Sequence, residues 1–339
     1  MNTDWNNELT NMDSKIQERR NSGNYSLKHE NYVPDKRNGN RAPPNQARFP
    51  QQNRKRDKET VNSTTIHIPE RFKRIITLHV VKNLMTQDTI RAPLLLGIHG
   101  PSGDGKTYQC EKVLEELGAK TFLISGGQLE SHQAGEPAQL IRTAYLNAGR
   151  CMQKREYPVA VVLINDIDTG VGSWGDMVQY TINRQTVFGE LMHLVDYPTS
   201  VEGRQTKRVP IIITGNDFTK LYEPLVRAGR MTAFEWNPTL DEKTKIVSRI
   251  FPEINHQECT NLVREFETQP LAFFPHLKST LIDDELWQTI QGKTIQKVIS
   301  SINRSNESDL LPSIQYQRLK EAGKNILQSG QLINHLGIA

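Results

Sequence analysis

The chain has 339 residues, 36% of them hydrophobic, which is enough for a sizeable core and for more than one domain. Its formal net charge of +4 falls entirely within residues 1–64, and the neutral remainder argues against a dedicated nucleic-acid-binding protein. The three cysteines lack metal-type spacing, the start is polar, and no apolar run approaches the ~20 residues of a membrane span. We therefore expect a cytoplasmic protein that engages no membrane.

The first 63 residues are rich in Asn, Arg, Lys, Gln and Pro, and their few apolar residues follow no period. Such a composition cannot bury enough surface to offset the entropy of ordering, so a disordered polar and basic tail is predicted over residues 1–63. The run from Arg54 to Lys58 could contact nucleic acid or an acidic partner, although a short charge run is more often only solvated.

Beyond the tail, short apolar runs alternate with helical patterns. An apolar stripe from Ile75 to Leu84 predicts the first helix, and later stripes predict helices at about 110–117, 137–154 and 180–195. Five buried strands are predicted over residues 94–98, 121–125, 159–165, 209–214 and 232–236. Because this alternation gives right-handed crossovers, we expect an α/β domain over 64–238, with a five-stranded parallel sheet and helices on both faces. The all-helical pattern over 239–339 predicts a small second domain.

The first predicted strand continues into a glycine-rich segment and then a helix pattern. Its sequence, Gly-Pro-Ser-Gly-Asp-Gly-Lys-Thr, has the spacing of a phosphate-binding loop, whose backbone amides surround an anion. We expect Lys106 to contact the terminal phosphates of a nucleoside triphosphate and the Thr107 hydroxyl to ligate Mg²⁺. A plain glycine turn is the alternative, and the flanking strand, lysine and threonine disfavour it. The predicted nucleotide-binding residues are Gly100, Pro101, Ser102, Gly103, Asp104, Gly105, Lys106 and Thr107.

Acidic and amide side chains follow the next strands along the chain. Asp166 and Asp168 come directly after the third predicted strand, where strand ends meet the ligand crevice of an α/β sheet. Carboxylates at that edge would serve Mg²⁺ and the attacking water, and Asp166 is the predicted metal ligand. Asn216 follows the fourth strand, where its amide could orient that water. The alternatives are solvated loop acids and ordinary Gly-Asn-Asp turn chemistry.

Two arginines, Arg227 and Arg230, close a short helical segment after the fourth strand. Arginines at a helix C-terminus suit the helix dipole and need no further explanation when taken alone. Beside a phosphate-binding loop they suggest another role, because an arginine presented to the γ-phosphate of a neighbouring subunit stabilises the transferring charge.

These motifs resemble the AAA+ ATPases and, within them, the Rubisco activases. The resemblance runs from about Ile66 to about Trp287, and it includes the segments 126–131, 134–138, 164–168, 179–183, 209–218 and 225–231. It implies that residues 100–107 are the Walker A loop, that Asp166 and Asp168 are the Walker B acids, and that Asn216 is sensor 1. It also implies arginine fingers at Arg227 and Arg230. Residues 273–278 match the sensor 2 region and residues 281–287 the client-recognition helix.

Two positions depart from the common AAA+ pattern. Asn165 and Asp166 replace the usual Asp-Glu pair, as they do in activases, so Asp166 takes the role of the water-activating acid. Lys278 replaces the sensor 2 arginine, so the resemblance adds it to the predicted nucleotide-binding residues, although a lysine cannot bind a phosphate in a bidentate manner.

The resemblance implies an ATPase that uses ATP and Mg²⁺, assembles as a homo-oligomeric, hexameric ring, and remodels Rubisco to release inhibitory sugar phosphates. If Rubisco is the client, the carboxysome or the plastid stroma is the alternative to the cytoplasm. The alternative function is an ATP-gated adaptor or defence protein that acts on another protein or, through its basic tail, on nucleic acid.

Overall fold

The computed structural model describes residues 67–85, 90–131, 133, 135–171, 181–291, 294, 296, 299 and 314–329. The tail predicted over residues 1–63 lies outside these ranges. Residues 62–339 belong to one contact unit, which contains every element given below. None of the helices in the described ranges has the length and apolarity needed to cross a bilayer.

Seven strands occur in the described part of the chain. They are β1 Leu95–His99, β2 Lys120–Ser125, β3 Ala160–Asn165, β4 Ser200–Val201, β5 Arg204–Gln205, β6 Ile211–Gly215 and β7 Met231–Glu235. Five of them form a parallel sheet in the order β2-β3-β6-β1-β7, which confirms the predicted α/β class and the five-stranded sheet. The short antiparallel hairpin of β4 and β5 was not predicted, because two-residue strands are too short to show an alternating pattern.

The helices of the α/β part are α1 Glu70–Leu84, α2 Lys106–Glu116, α3 Glu136–Gln153, α4 Ile167–Val171, α5 Thr181–Asp196 and α6 Glu223–Val226. The first helix starts earlier than its apolar stripe indicated. Pro69 precedes it, and a proline there loses nothing because the first helical N–H groups have no intrahelical partner. All six residues of β3 are buried, so helices cover both faces of the sheet, as predicted.

One core lies between the sheet and the helices α1 and α2. Its largest side chains are Phe72 and Trp236, whose rings meet edge to face with centroids 4.9 Å apart. The register of the sheet sets the site, because residue 98 of β1 pairs with residue 214 of β6 and β3 pairs with the other side of β6. The carboxyl ends of all three strands therefore meet at one edge of the sheet.

The C-terminal part is helical, as predicted, with α7 Leu240–Ile250, α8 His256–Glu265, α9 Phe273–Ile290 and α10 Tyr316–Gln328. Capping boxes start the first two of these helices: Thr239 with Glu242, and Asn255 with Glu258. A separate cluster of buried apolar side chains, including Phe251, Phe266 and Phe274, holds the four helices together. This part is called the helical subdomain below.

Candidate functional site

The glycine-rich segment between β1 and α2 forms a tight loop. Gly100, Gly103 and Gly105 have φ angles of 146°, 81° and 71°, a region that residues with a side chain rarely adopt. A Cβ on Gly100 would lie 2.0 Å from the backbone oxygen of Trp236, so only glycine fits there. Helix α2 then begins at Lys106, with its first N–H groups at the loop. Residues 100–107 are called the phosphate loop from here on.

Lys106 is 5% exposed, and its ammonium lies inside the loop. Its Nζ donates hydrogen bonds to the Gly100 and Pro101 carbonyl oxygens, both at 2.8 Å, and to the Asn216 Oδ1 at 3.0 Å. Burial lowers the pKa of this ammonium, and the nearby carboxylates of Asp166 and Asp104 oppose that shift. The structure thus brings the predicted lysine and the predicted Asn216 into direct contact.

A buried hydroxyl, that of Thr214 at the end of β6, links the loop to the acids. The Asp166 backbone N–H donates to Thr214 Oγ1 at 3.1 Å, and Thr107 Oγ1 lies 3.3 Å from the same oxygen. Thr214 Oγ1 also lies 3.4 Å from Asn165 Oδ1. The structure therefore gathers Thr107 and Asp166 around one side chain whose role the sequence analysis did not recognise. The one threonine near the end of an isoleucine-rich strand is the signal from which its role could have been recognised.

The two predicted acids differ sharply in environment. Asp166 is exposed and has a positive φ of 50°, an uncommon conformation for a residue with a side chain. Asp168 is 1% exposed, and its Oδ2 accepts hydrogen bonds from the backbone N–H groups of Asn216 at 2.9 Å and Asp217 at 3.0 Å. Only Asp166 faces solvent at the loop, whereas the Asp168 carboxylate holds the turn that carries Asn216.

Asp104 belongs to the phosphate loop, but its side chain leaves it. This carboxyl is 3% exposed, and its Oδ1 accepts a hydrogen bond from the Leu271 backbone N–H of the helical subdomain at 2.9 Å. Burial raises the pKa of Asp104, and the Leu271 N–H opposes that rise. Asp104 is thus a predicted nucleotide-binding residue of the loop whose side chain is directed toward another part of the protein.

The predicted arginine fingers are also placed differently from each other. Arg230 Nη1 donates to the Pro224 carbonyl oxygen at 2.9 Å, and its Nη2 lies 3.4 Å from Asp196 Oδ2, so this guanidinium is held within its own chain. Arg227, the residue after α6, is exposed, and its guanidinium has no hydrogen-bond or ion-pair partner in the described ranges. Arg227 is therefore the one that can reach another molecule without breaking an existing contact.

Lys278, the predicted sensor 2 residue, lies on α9 within the helical subdomain. Its Nζ donates to the Ile250 carbonyl oxygen at 2.7 Å and to Glu253 Oε1 at 2.9 Å. The phosphate loop instead accepts hydrogen bonds from Leu271 and Ala272 of this subdomain, which precede α9. The structure does not bring Lys278 into contact with the other predicted site residues.

The oxygen atoms near the phosphate loop fit a magnesium ion. The Thr107 hydroxyl and the Asp166 carboxylate are hard ligands of the type that Mg²⁺ prefers. The Thr214 hydroxyl fixes both residues, because it contacts the Thr107 hydroxyl and accepts a hydrogen bond from the Asp166 backbone N–H. The described residues contain no cluster of three or more His, Cys, Asp or Glu side chains that would make a separate metal site. A nucleotide-bound Mg²⁺ needs only one or two protein ligands, because phosphates and water supply the rest.

Two family models match adjacent stretches of the chain, which together cover residues 96–335. The model described as ATPase family associated with various cellular activities matches residues 96–239. The model described as ribulose bisphosphate carboxylase/oxygenase activase, AAA, helical, matches residues 240–335. Among solved structures, the AAA domain of FIGL-1 in complex with ADP is 17% identical, covers 78% of this chain and 83% of that chain, and has a TM-score of 0.52, which shows a shared fold.

Curated relatives named ribulose bisphosphate carboxylase/oxygenase activase include one from a Nostoc species, 38% identical over 79% of this chain and 67% of its own length. One from an Anabaena species is 42% identical over 65% of this chain. The chloroplastic one from Chlamydomonas reinhardtii is 37% identical over 80% of this chain and 69% of its own length. The chain spans only 55% of the Anabaena relative. These matches confirm the predicted resemblance, and the chain belongs to the Rubisco activase family of AAA+ ATPases.

Proposed function

We propose that the chain binds and hydrolyses ATP with Mg²⁺ and uses this cycle to remodel Rubisco. The observation that carries the proposal is the Lys106 ammonium, which the loop carbonyls and Asn216 hold within the phosphate loop. Thr107 and Asp166 belong to the same site, because both contact the Thr214 hydroxyl. The Rubisco part rests on the relatives named as activases, since the site itself fits any AAA+ ATPase.

In this proposal the chain's own residues divide the work of hydrolysis. The N–H groups at the start of α2 and the Lys106 ammonium bind the phosphates and orient the terminal one. The Asp166 carboxylate takes a proton from the attacking water, and the Asn216 amide orients that water. Bound Mg²⁺, held by Thr107 and Asp166, would neutralise phosphate charge.

We further propose that the active form is a hexameric ring with the nucleotide at the interface between subunits. Arg227 is the residue offered across that interface, because its exposed guanidinium is not engaged within the described part of its own chain. An arginine supplied in trans stabilises the charge that develops during phosphoryl transfer, so turnover depends on assembly. Arg230 supports this geometry by holding α6 to Asp196.

The test is reactivation of Rubisco that has been inhibited by a bound sugar phosphate. The full chain with ATP and Mg²⁺ is expected to restore carboxylation, and the Lys106→Ala variant is the matched control. Hydrolysis of ATP without any reactivation, for Rubisco from several sources, would show that the client is another molecule. Absence of ATP binding by the parent chain would overturn the nucleotide site itself.

A further inference from the structure

Two adjacent residues of the phosphate loop are bonded to two adjacent residues of the helical subdomain. The Leu271 N–H donates to Asp104 Oδ1 at 2.9 Å, and the Ala272 N–H donates to the Gly103 carbonyl oxygen, also at 2.9 Å. The first of these acceptors is a buried carboxylate, and hydrogen bonds to charged acceptors are roughly twice as strong as neutral ones. Leu271 and Ala272 immediately precede α9.

The backbone of Asp104 is fixed by a second partner, Trp236. The fully buried Trp236 indole donates from Nε1 to the Asp104 carbonyl oxygen at 2.8 Å, and the Trp236 backbone N–H donates to the His99 carbonyl oxygen at 2.6 Å. Trp236 directly follows β7 at the edge of the sheet. Asp104 thus joins the sheet through its backbone and the helical subdomain through its side chain.

Van der Waals contact reinforces these hydrogen bonds. A Cβ built on Gly103 would lie 3.0 Å from the Pro270 Cβ and 3.4 Å from the Ala272 Cβ, so the loop backbone and the segment before α9 touch directly. Because packed protein interiors transmit displacement rather than absorb it, a shift of the loop must move the start of α9 as well.

We propose that Asp104 is a positioning residue that transmits the state of the phosphate loop to helix α9. The inference rests on the proposed nucleotide site and adds to it the route by which nucleotide acts on the helical subdomain. Phosphates that settle on the loop amides shift the loop backbone, and the Asp104 carboxylate carries Leu271 with it. Near the C-terminal end of helix α9, the Trp287 side chain is 63% exposed, so this end of the helix is available to a protein client.

The experiment is hydrogen exchange of the full chain with and without saturating ADP or a non-hydrolysable ATP analogue. The parent is expected to show nucleotide-dependent protection both in the phosphate loop and in residues 271–290. Asp104→Ala is expected to reduce the response in residues 271–290 at saturating nucleotide, because only the Ala272 hydrogen bond and the Pro270 contact then remain. Asp104→Asn keeps an oxygen acceptor for the Leu271 N–H and is expected to show the parental exchange response in residues 271–290. Gln109→Leu is the matched control, because it removes a different hydrogen bond to the Asp104 backbone at 3.3 Å and should keep the response.

A second readout is the amount of Rubisco reactivated per ATP hydrolysed. Because Asp104→Ala removes the charged acceptor of the Leu271 N–H, this ratio is expected to fall in that variant and to recover in Asp104→Asn. An unchanged exchange response of residues 271–290 in Asp104→Ala, or its loss in a nucleotide-saturated Asp104→Asn, would overturn the inference. Absence of nucleotide-dependent protection in the phosphate loop of the parent would instead overturn the nucleotide site, and the inference with it. This outcome is distinguishable from the two above, in which the loop is protected.

Discussion

The Lys106 ammonium lies 3.0 Å from the Asn216 side-chain oxygen, so one cation joins the phosphate loop to the end of β6. A phosphate competes for the same ammonium, and a shift of Lys106 toward it would leave the Asn216 oxygen to orient water. Under the proposed function, this exchange of partners would link nucleotide binding to the readiness of the hydrolytic groups.

Lys106→Ala is expected to weaken ATP binding, whereas Asp166→Asn is expected to keep binding and lose turnover. The lysine supplies charge-assisted hydrogen bonds worth about 1.5 to 3 kcal/mol, or roughly 10- to 150-fold in affinity. Replacing the Asp166 carboxylate removes the proposed general base and is expected to cost about 10²-fold or more in rate. A nucleotide-binding titration and a turnover assay measure the two effects. Lys112→Ala, on the exposed side of α2, is the control, and Lys106→Ala with parental affinity would show that the loop assignment is wrong.

Asp168→Ala is expected to destabilise the fold, in contrast to Asp166→Asn. The Asp168 carboxylate accepts two backbone hydrogen bonds in a buried position, so its removal leaves two N–H groups unpaired at a cost of about 2 to 4 kcal/mol. Asp166 is exposed, and its replacement should leave the free energy of unfolding nearly unchanged. Denaturant unfolding of both variants compares them directly. Equal stability of the two would mean that Asp168 does not hold the Asn216 turn.

Arg227→Ala is expected to lower turnover by about 10³-fold or more without changing stability, because in the proposed ring this side chain acts on a neighbouring subunit. Arg230→Ala should lower the free energy of unfolding by about 1 to 2 kcal/mol, because it removes hydrogen bonds within the chain. Thermal unfolding and ATPase assays at several protein concentrations separate these effects.

Mixing supplies a second check on the shared site. Lys106→Ala subunits retain Arg227, and Arg227→Ala subunits retain the phosphate loop, so mixed rings should recover activity that neither variant has alone. Mixed rings that stay inactive, together with parental turnover that is independent of protein concentration, would show that each chain is a self-contained ATPase.

Stability is expected to fall as the pH drops from about 6.5 to about 4, in part because of His79. Burial is the main cause that lowers the pKa of His79 from 6.5 to about 4, with Arg208 and Lys82 adding to the effect. The neutral ring is therefore favoured in the folded state, and the unfolded state takes up a proton first as the pH falls. The difference between the two pKa values corresponds to about 3 kcal/mol of unfolding free energy.

The measurement is the free energy of unfolding at a series of pH values for the parent and for His79→Asn. The variant should show a flatter profile between pH 6.5 and 4, whereas His256→Asn, which changes an exposed histidine, should keep the parental slope. An identical slope for parent and His79→Asn would rule out His79 as the source of the pH dependence.

Most of the fold could be predicted from local pattern. Each of the five sheet strands was predicted to within two residues, because buried parallel strands appear as short apolar runs bounded by turn residues. The phosphate loop could also be predicted, because its positive φ angles require glycine at fixed positions in the sequence. The helical subdomain followed from its periodicity, and its first helix begins with a Thr239 and Glu242 capping box.

The sequence by itself determined which residue types stand beside the phosphate loop, but only the tertiary structure decided what each does. Asp166 and Asp168 look alike in sequence, yet one is exposed and the other binds two backbone amides. Asp104 reaches Leu271, 167 residues further along the chain, which no local pattern encodes. Motifs and periodicity record constraints within one strand or turn, whereas the partner of a side chain depends on which distant segments the sheet register and the helix packing bring together.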